Sequence, residues 1–94
     1  MAIGLDRVRR DTPAASRLIH FNNAGTALPP VPVLDAQLAH LRREAEIGGY
    51  ESADEARPRI EGAYDSLARL LNCRRDEIAL AENATVAWDM AFYG

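Results

Sequence analysis

A helical hydrophobic repeat that occurs twice constrains this chain most. Leu34, Leu38, Leu41 and Ala45 fall at i, i+4, i+7 and i+11, which places them on one face of a 3.6-residue period. Ile60, Tyr64, Leu67 and Leu71 repeat that spacing. The two runs predict amphipathic helices, one from about Val33 to Ile47 and one from near Ser52 to Leu71. Gly48 and Gly49 separate them, and glycine readily takes the conformation that ends a helix. Ser52 and Glu55 have the spacing of a capping box, and Asp35 in the first turn complements the helix dipole. Pro58 leaves two readings open: a kink in one helix, or a new helix with Pro58 at its first position. Asp65 and Arg69 are spaced for an i,i+4 ion pair, and Asn72 for a left-handed cap.

Around these helices the pattern is shorter. A helix ending at Arg10 is stopped by Asp11-Thr12-Pro13, because the residue before proline avoids helical angles. Leu18 to Phe21 reads as extended. Asn22-Asn23-Ala24-Gly25-Thr26 is a cluster of turn formers, and Pro29, Pro30 and Pro32 lead into the first long helix. Ile78-Ala79-Leu80-Ala81 is short and apolar on both faces, the signature expected of a buried parallel strand. Glu82-Asn83-Ala84-Thr85 then turns the chain, and Val86 to Tyr93 reads as an apolar helix. Helix, strand, tight turn, helix is a piece of α/β architecture. One strand without a neighbour leads to the expectation that the chain is the front of a larger domain.

Composition narrows the chemistry. The 94 residues are 48% hydrophobic and 27% charged, with net charge −3, which is ordinary globular composition. Every basic residue is arginine. The Arg9-Arg10, Arg42-Arg43 and Arg74-Arg75 pairs are scattered and form no stripe for a phosphate backbone, so no nucleic-acid partner is expected. One cysteine, Cys73, cannot make an internal disulfide, and two histidines with one thiol give no metal site. The longest uncharged stretch, Leu18 to Leu34, is broken by asparagines, glycine and prolines, so it predicts no membrane span. The opening residues show no secretory pattern. The expected setting is cytoplasmic.

Two loops could carry chemistry. A helix start after Glu82-Asn83-Ala84-Thr85 offers backbone amides and a positive dipole end to a phosphate; a plain Asn cap explains the same four residues. In Asn22-Asn23-Ala24-Gly25-Thr26, small side chains leave the main chain accessible and Gly25 permits unusual angles, which fits a substrate-facing loop or a simple turn. His20 and His40 read as surface or interface residues, and Cys73 as packing. Trp88, Met90, Phe92 and Tyr93 read as core or interface packing.

Together, Phe21-Asn22-Asn23-Ala24-Gly25-Thr26-Ala27-Leu28-Pro29-Pro30 and Glu82-Asn83-Ala84-Thr85-Val86-Ala87-Trp88 resemble two motifs of the class V aminotransferase family. These are fold-type-I enzymes that use pyridoxal 5′-phosphate (PLP) and include cysteine desulfurases, selenocysteine lyases and isopenicillin N epimerase-like proteins. Glu44-Ala45-Glu46-Ile47-Gly48-Gly49-Tyr50 is similar to the lyase-like and epimerase-like members. The resemblance implies an α/β fold in which this chain is an N-terminal fragment: an extended loop, two amphipathic helices, one buried strand and one further helix. Residues 1–50 would form the arm and first helix, and 51–94 the incomplete start of the large PLP-binding domain. Asn83, Ala84 and Thr85 would hold the cofactor phosphate, and Asn23, Ala24 and Gly25 would border a small amino-acid substrate. The parent would be a homodimer acting by elimination, desulfuration, epimerisation or transamination.

The resemblance also exposes a gap. PLP chemistry needs a lysine amine for the Schiff base, and the chain has no lysine. No catalytic residue is assigned to it, and the chain alone is expected to be inactive. A different class also accommodates the sequence: a free-standing, non-catalytic helical protein that interacts through its apolar faces.

Overall fold

The computed structural model describes residues 3–94. Among the described residues four α-helices follow in order: α1 (Leu5–Arg10), α2 (Val31–Ile47), α3 (Gly49–Leu71) and α4 (Ala84–Tyr93), with 3₁₀ turns at Pro13–Ser16 and Arg75–Glu77. The chain divides into two units, Met1–Ala53 and Asp54–Gly94. No helix among the described residues is long and apolar enough to cross a membrane.

In the first unit, α1 stops at Asp11 and Pro13 opens the following turn. The four amides that open α2 are all accounted for, a requirement at any helix start. Val31 donates to the Asp11 carbonyl at 2.7 Å, Val33 and Leu34 donate to the Pro30 carbonyl, and Pro32 has no N–H to satisfy. Gly48 then does two jobs. Its amide donates to the Glu44 carbonyl and closes α2, while its carbonyl accepts the Ser52 amide and opens α3. Its φ of +98° is the reason glycine stands there. The predicted capping box is not formed. α3 starts at Gly49, so Ser52 lies inside the first turn, 1% exposed, with its hydroxyl donating to the Gly49 carbonyl.

In the second unit α3 runs through Pro58 without ending, which decides between the two readings left open above. Its C-terminus is a Schellman cap: Asn72 is left-handed (φ 55°), and the Cys73 amide donates to the Ala68 carbonyl at 3.0 Å. Asp65 does not pair with Arg69 as spacing predicts. It accepts instead from Arg75 at 3.4 Å, and Arg69 donates to Ser66.

The α/β expectation is overturned. Among the described residues the structure is helical and contains no β-strand. Ile78 is extended (φ −103°, ψ 127°), but a strand exists only where its backbone groups pair with a neighbour. Residues 78–81 pair with none. Nor do the apolar stripes close a core: among the described residues only Ser52 in the first unit, and Ala56 and Ala68 in the second, are buried. Leu34, Leu38 and Leu41 of α2 remain exposed.

Candidate functional site

The first predicted loop lies in the first unit. It is closed by three polar contacts. Asn22 Oδ1 accepts the Gly25 amide at 3.2 Å, the Asn22 carbonyl accepts the Thr26 amide at 3.1 Å, and the His20 ring Nε2 lies 2.8 Å from the Thr26 carbonyl. Asn side chains that bond a following amide build such turns routinely. Asn23, Ala24 and Gly25 sit together at the tip, all exposed. Gly25 does not have a positive φ, so the backbone freedom expected of it is not used. What it contributes is the missing side chain: a Cβ there would lie 2.7 Å from Asn22 Nδ2. His20, read from sequence as a surface or interface residue, is the loop's ring clasp.

The second predicted turn lies in the second unit and opens α4. Asn83 is extended (φ −163°, ψ 170°) and is the N-cap; its Oδ1 accepts the Val86 amide at 2.9 Å. Its carbonyl accepts the Ala87 amide at 3.1 Å. Two of the amides at the helix start are thereby spent on Asn83. Those of Ala84 and Thr85 have no acceptor among the described residues. They lie at the positive end of the helix dipole, and Thr85, an exposed hydroxyl residue, is in the same first turn. The arrangement can donate hydrogen bonds to one anionic oxygen cluster. Glu82, exposed directly before the cap, is the one titratable side chain of the turn.

Beside this turn, Ala79, Leu80 and Ala81 face α4 residues Ala87, Met90 and Ala91 across an open concavity of about 330 Å³. The rest of α4 carries an aromatic cluster. Trp88 and Phe92 rings stack with centroids 6.0 Å apart, and Phe92 meets Tyr93 edge-on at 4.9 Å. The core half of the sequence reading is overturned, since Trp88 is 67% and Phe92 66% exposed in the single chain. Cys73 is a free, half-buried thiol at the α3 cap. Among the described residues no group of His, Cys, Asp or Glu could hold a metal ion.

The chain is 30% identical over 90 residues to a probable cysteine desulfurase of Pyrococcus abyssi, covering 93% of this chain and 22% of that protein. It is 30% identical over 102 residues to a probable cysteine desulfurase of Halobacterium salinarum, covering 97% of this chain and 25% of the relative. A probable hercynylcysteine sulfoxide lyase of Mycobacterium tuberculosis is 29% identical over 85 residues, covering 90% and 21%. The chain resembles one part of each. It spans about a fifth to a quarter of the length of these curated relatives. No family model matches it, and no solved structure does.

Proposed function

We propose that this chain is an N-terminal segment of a PLP-dependent enzyme of the class V aminotransferase type, acting on a small amino-acid substrate by carbon–sulfur cleavage. Elimination, epimerisation and transamination are the other reactions of that type. The likeness to two proteins named as desulfurases and one named as a sulfoxide lyase supports the carbon–sulfur choice. PLP, when bound, supplies an electron sink for the reacting amino acid.

The single observation that carries the reading is at α4. Asn83 caps the helix, yet the amides of Ala84 and Thr85 keep their hydrogens for an outside acceptor. The residues fit the phosphate end of PLP: two amides, one hydroxyl, and Ala84 small enough for close approach. They offer no amine, since the chain has no lysine. The role read here is therefore to bind and orient the phosphate. Asn23, Ala24 and Gly25 form a small-residue wall for the substrate, and the parent enzyme is a cytoplasmic homodimer.

Amide NMR of the chain during titration with PLP tests this. Saturable shifts at Ala84 and Thr85, reproduced by inorganic phosphate but not by phosphate-free pyridoxal, are expected. Shifts scattered over the arginines with Ala84 and Thr85 unmoved would overturn it.

The exposed Trp88, Phe92 and Tyr93 cluster favours the second reading, a non-catalytic helical module that binds through this face. A chain that ignores phosphate while forming a discrete, saturable complex through α4 would support the module instead.

A further inference from the structure

The connection between α3 and α4 is held by one side chain. Arg75 lies in the 3₁₀ turn Arg75–Glu77, and its guanidinium reaches back to three residues of α3. One nitrogen donates to Glu61 Oε2, another lies 3.4 Å from Asp65 Oδ1, and the guanidinium carbon sits 5.6 Å from the centre of the Tyr64 ring. Glu61, Tyr64 and Asp65 are at i, i+3 and i+4, so the three contacts lie on one helix face. Arginine's planar fork bridges two carboxylates and stacks on a ring at once; the point charge of lysine does not. The turn itself is braced, with Glu77 Oε2 accepting the Arg74 amide at 2.7 Å.

Beyond Arg75 the polar anchors stop. The Ile78 amide donates to the Arg75 carbonyl, and among the described residues no further hydrogen bond fixes the backbone of Ala79, Leu80 or Ala81. Those residues face α4 across the apolar concavity. The segment and α4 thus share one apolar contact, and the ties back to α3 are the Cys73 cap amide and Arg75.

We infer that Arg75 is a positioning residue, which sets where the Asn83–Thr85 turn is presented relative to α3. The functional weight of this role rests on the phosphate reading above; the positioning itself does not. Such a latch matters because an anion site on a helix start is only as specific as the neighbouring groups that converge with it. An exposed ion pair is weak by itself. Here one side chain makes three contacts, and its partners are ten, eleven and fourteen residues away in sequence.

The molecule carries its own probe pair for the test. Cys73 is tied to α3 through its amide, so a nitroxide on its thiol reports from the α3 side of the latch. Amides of Ala84 to Tyr93 report from the other side. Arg75→Gln in the full 94-residue chain is expected to change their paramagnetic relaxation at least twofold, with helix content by circular dichroism unchanged. The double substitution Glu61→Gln/Asp65→Asn should produce the same pattern from the opposite side of the latch, and it serves if Arg75→Gln misfolds. Arg75→Lys should restore the wild-type pattern only in part. In parallel, Arg75→Gln should raise the apparent Kd for inorganic phosphate at Ala84 and Thr85 at least threefold. If the wild-type chain shows no phosphate response, the phosphate reading fails and the relaxation data alone decide the positioning. Relaxation profiles identical in wild type, Arg75→Gln and the double variant would overturn the inference.

Discussion

Asn83 Oδ1 accepts the Val86 amide at 2.9 Å, and this one bond separates the residue that builds the helix start from the residues that can use it. Asn83 is committed to capping, whereas Ala84 and Thr85 carry the open donors. Asn83→Ala should therefore cost α4 about 0.5–2 kcal/mol and expose its first turn to exchange. Hydrogen exchange at Ala87 and Trp88 measures this. Unchanged protection there would mean the cap bond contributes nothing.

Thr85→Val separates capping from anion binding, since the cap is Asn83's. A hydrogen bond to a charged group is worth roughly 1.5–3 kcal/mol, so phosphate or PLP binding at α4 should weaken about tenfold or more while helix content stays the same. A variant that binds as tightly as wild type would reduce Thr85 to an ordinary helix residue.

The punctuation of the helices was legible because it is local. Gly48 with φ +98° and Asn72 with φ 55° stand where glycine and asparagine follow two periodic runs. Their conformations depend on a few neighbouring bonds. Residues 78–81 were misread because a strand is not a local property. The run is apolar and Ile78 is extended, yet sheet formation needs a partner backbone that no period or composition reports. The Arg75 latch escaped for a related reason: its partners are ten, eleven and fourteen residues away, whereas spacing rules see i+3 and i+4. Asp65 illustrates the competition, offered Arg69 by spacing and taking Arg75 in space. At the candidate site, the turn Glu82–Thr85 could be read as a helix start from its residue types. Which of its donors remain open is visible only once Asn83 is seen bonding Val86.

Pro58 lies inside α3, where it removes one helical hydrogen bond and its ring crowds the carbonyl of the residue four positions earlier; an interior proline costs ~3 kcal/mol or more. Pro58→Ala should consequently raise the thermal stability of α3 and increase helicity by circular dichroism. Asp54 would regain a donor for its carbonyl. No gain in either measurement would show that the proline is accommodated without strain and that the helix already turns aside at this point.

Absence of lysine makes a chemical prediction that is independent of affinity. A protein imine needs a primary amine, and in this chain the α-amino group of Met1 is the candidate left. Treating the chain with PLP, reducing with borohydride and mapping peptides should find no modification on residues 2–94 and, at most, substoichiometric modification at Met1. Stoichiometric labelling anywhere in residues 2–94 would overturn this.

The last expectation concerns association, and it follows from what α4 leaves uncovered. Leu80, Trp88, Met90, Phe92 and Tyr93 are all exposed, and contiguous apolar patches on soluble proteins mark surfaces that seek a partner. Leaving a large apolar side chain in water forfeits about 1.5–3 kcal/mol relative to burying it. Four or five of them therefore match the whole stability margin of a typical domain, roughly 5–15 kcal/mol. The chain should self-associate as concentration rises, with helix retained and the region 78–93 exchanging faster than 33–71 at low concentration. Sedimentation velocity over a concentration series, paired with hydrogen exchange, measures both. Trp88→Glu with Phe92→Glu should shift association to higher concentration without lowering the helicity of α3. A monomer at every concentration, melting in one sharp transition with protected amides at Ala79 and Leu80, would show that this apolar surface is already satisfied within the chain.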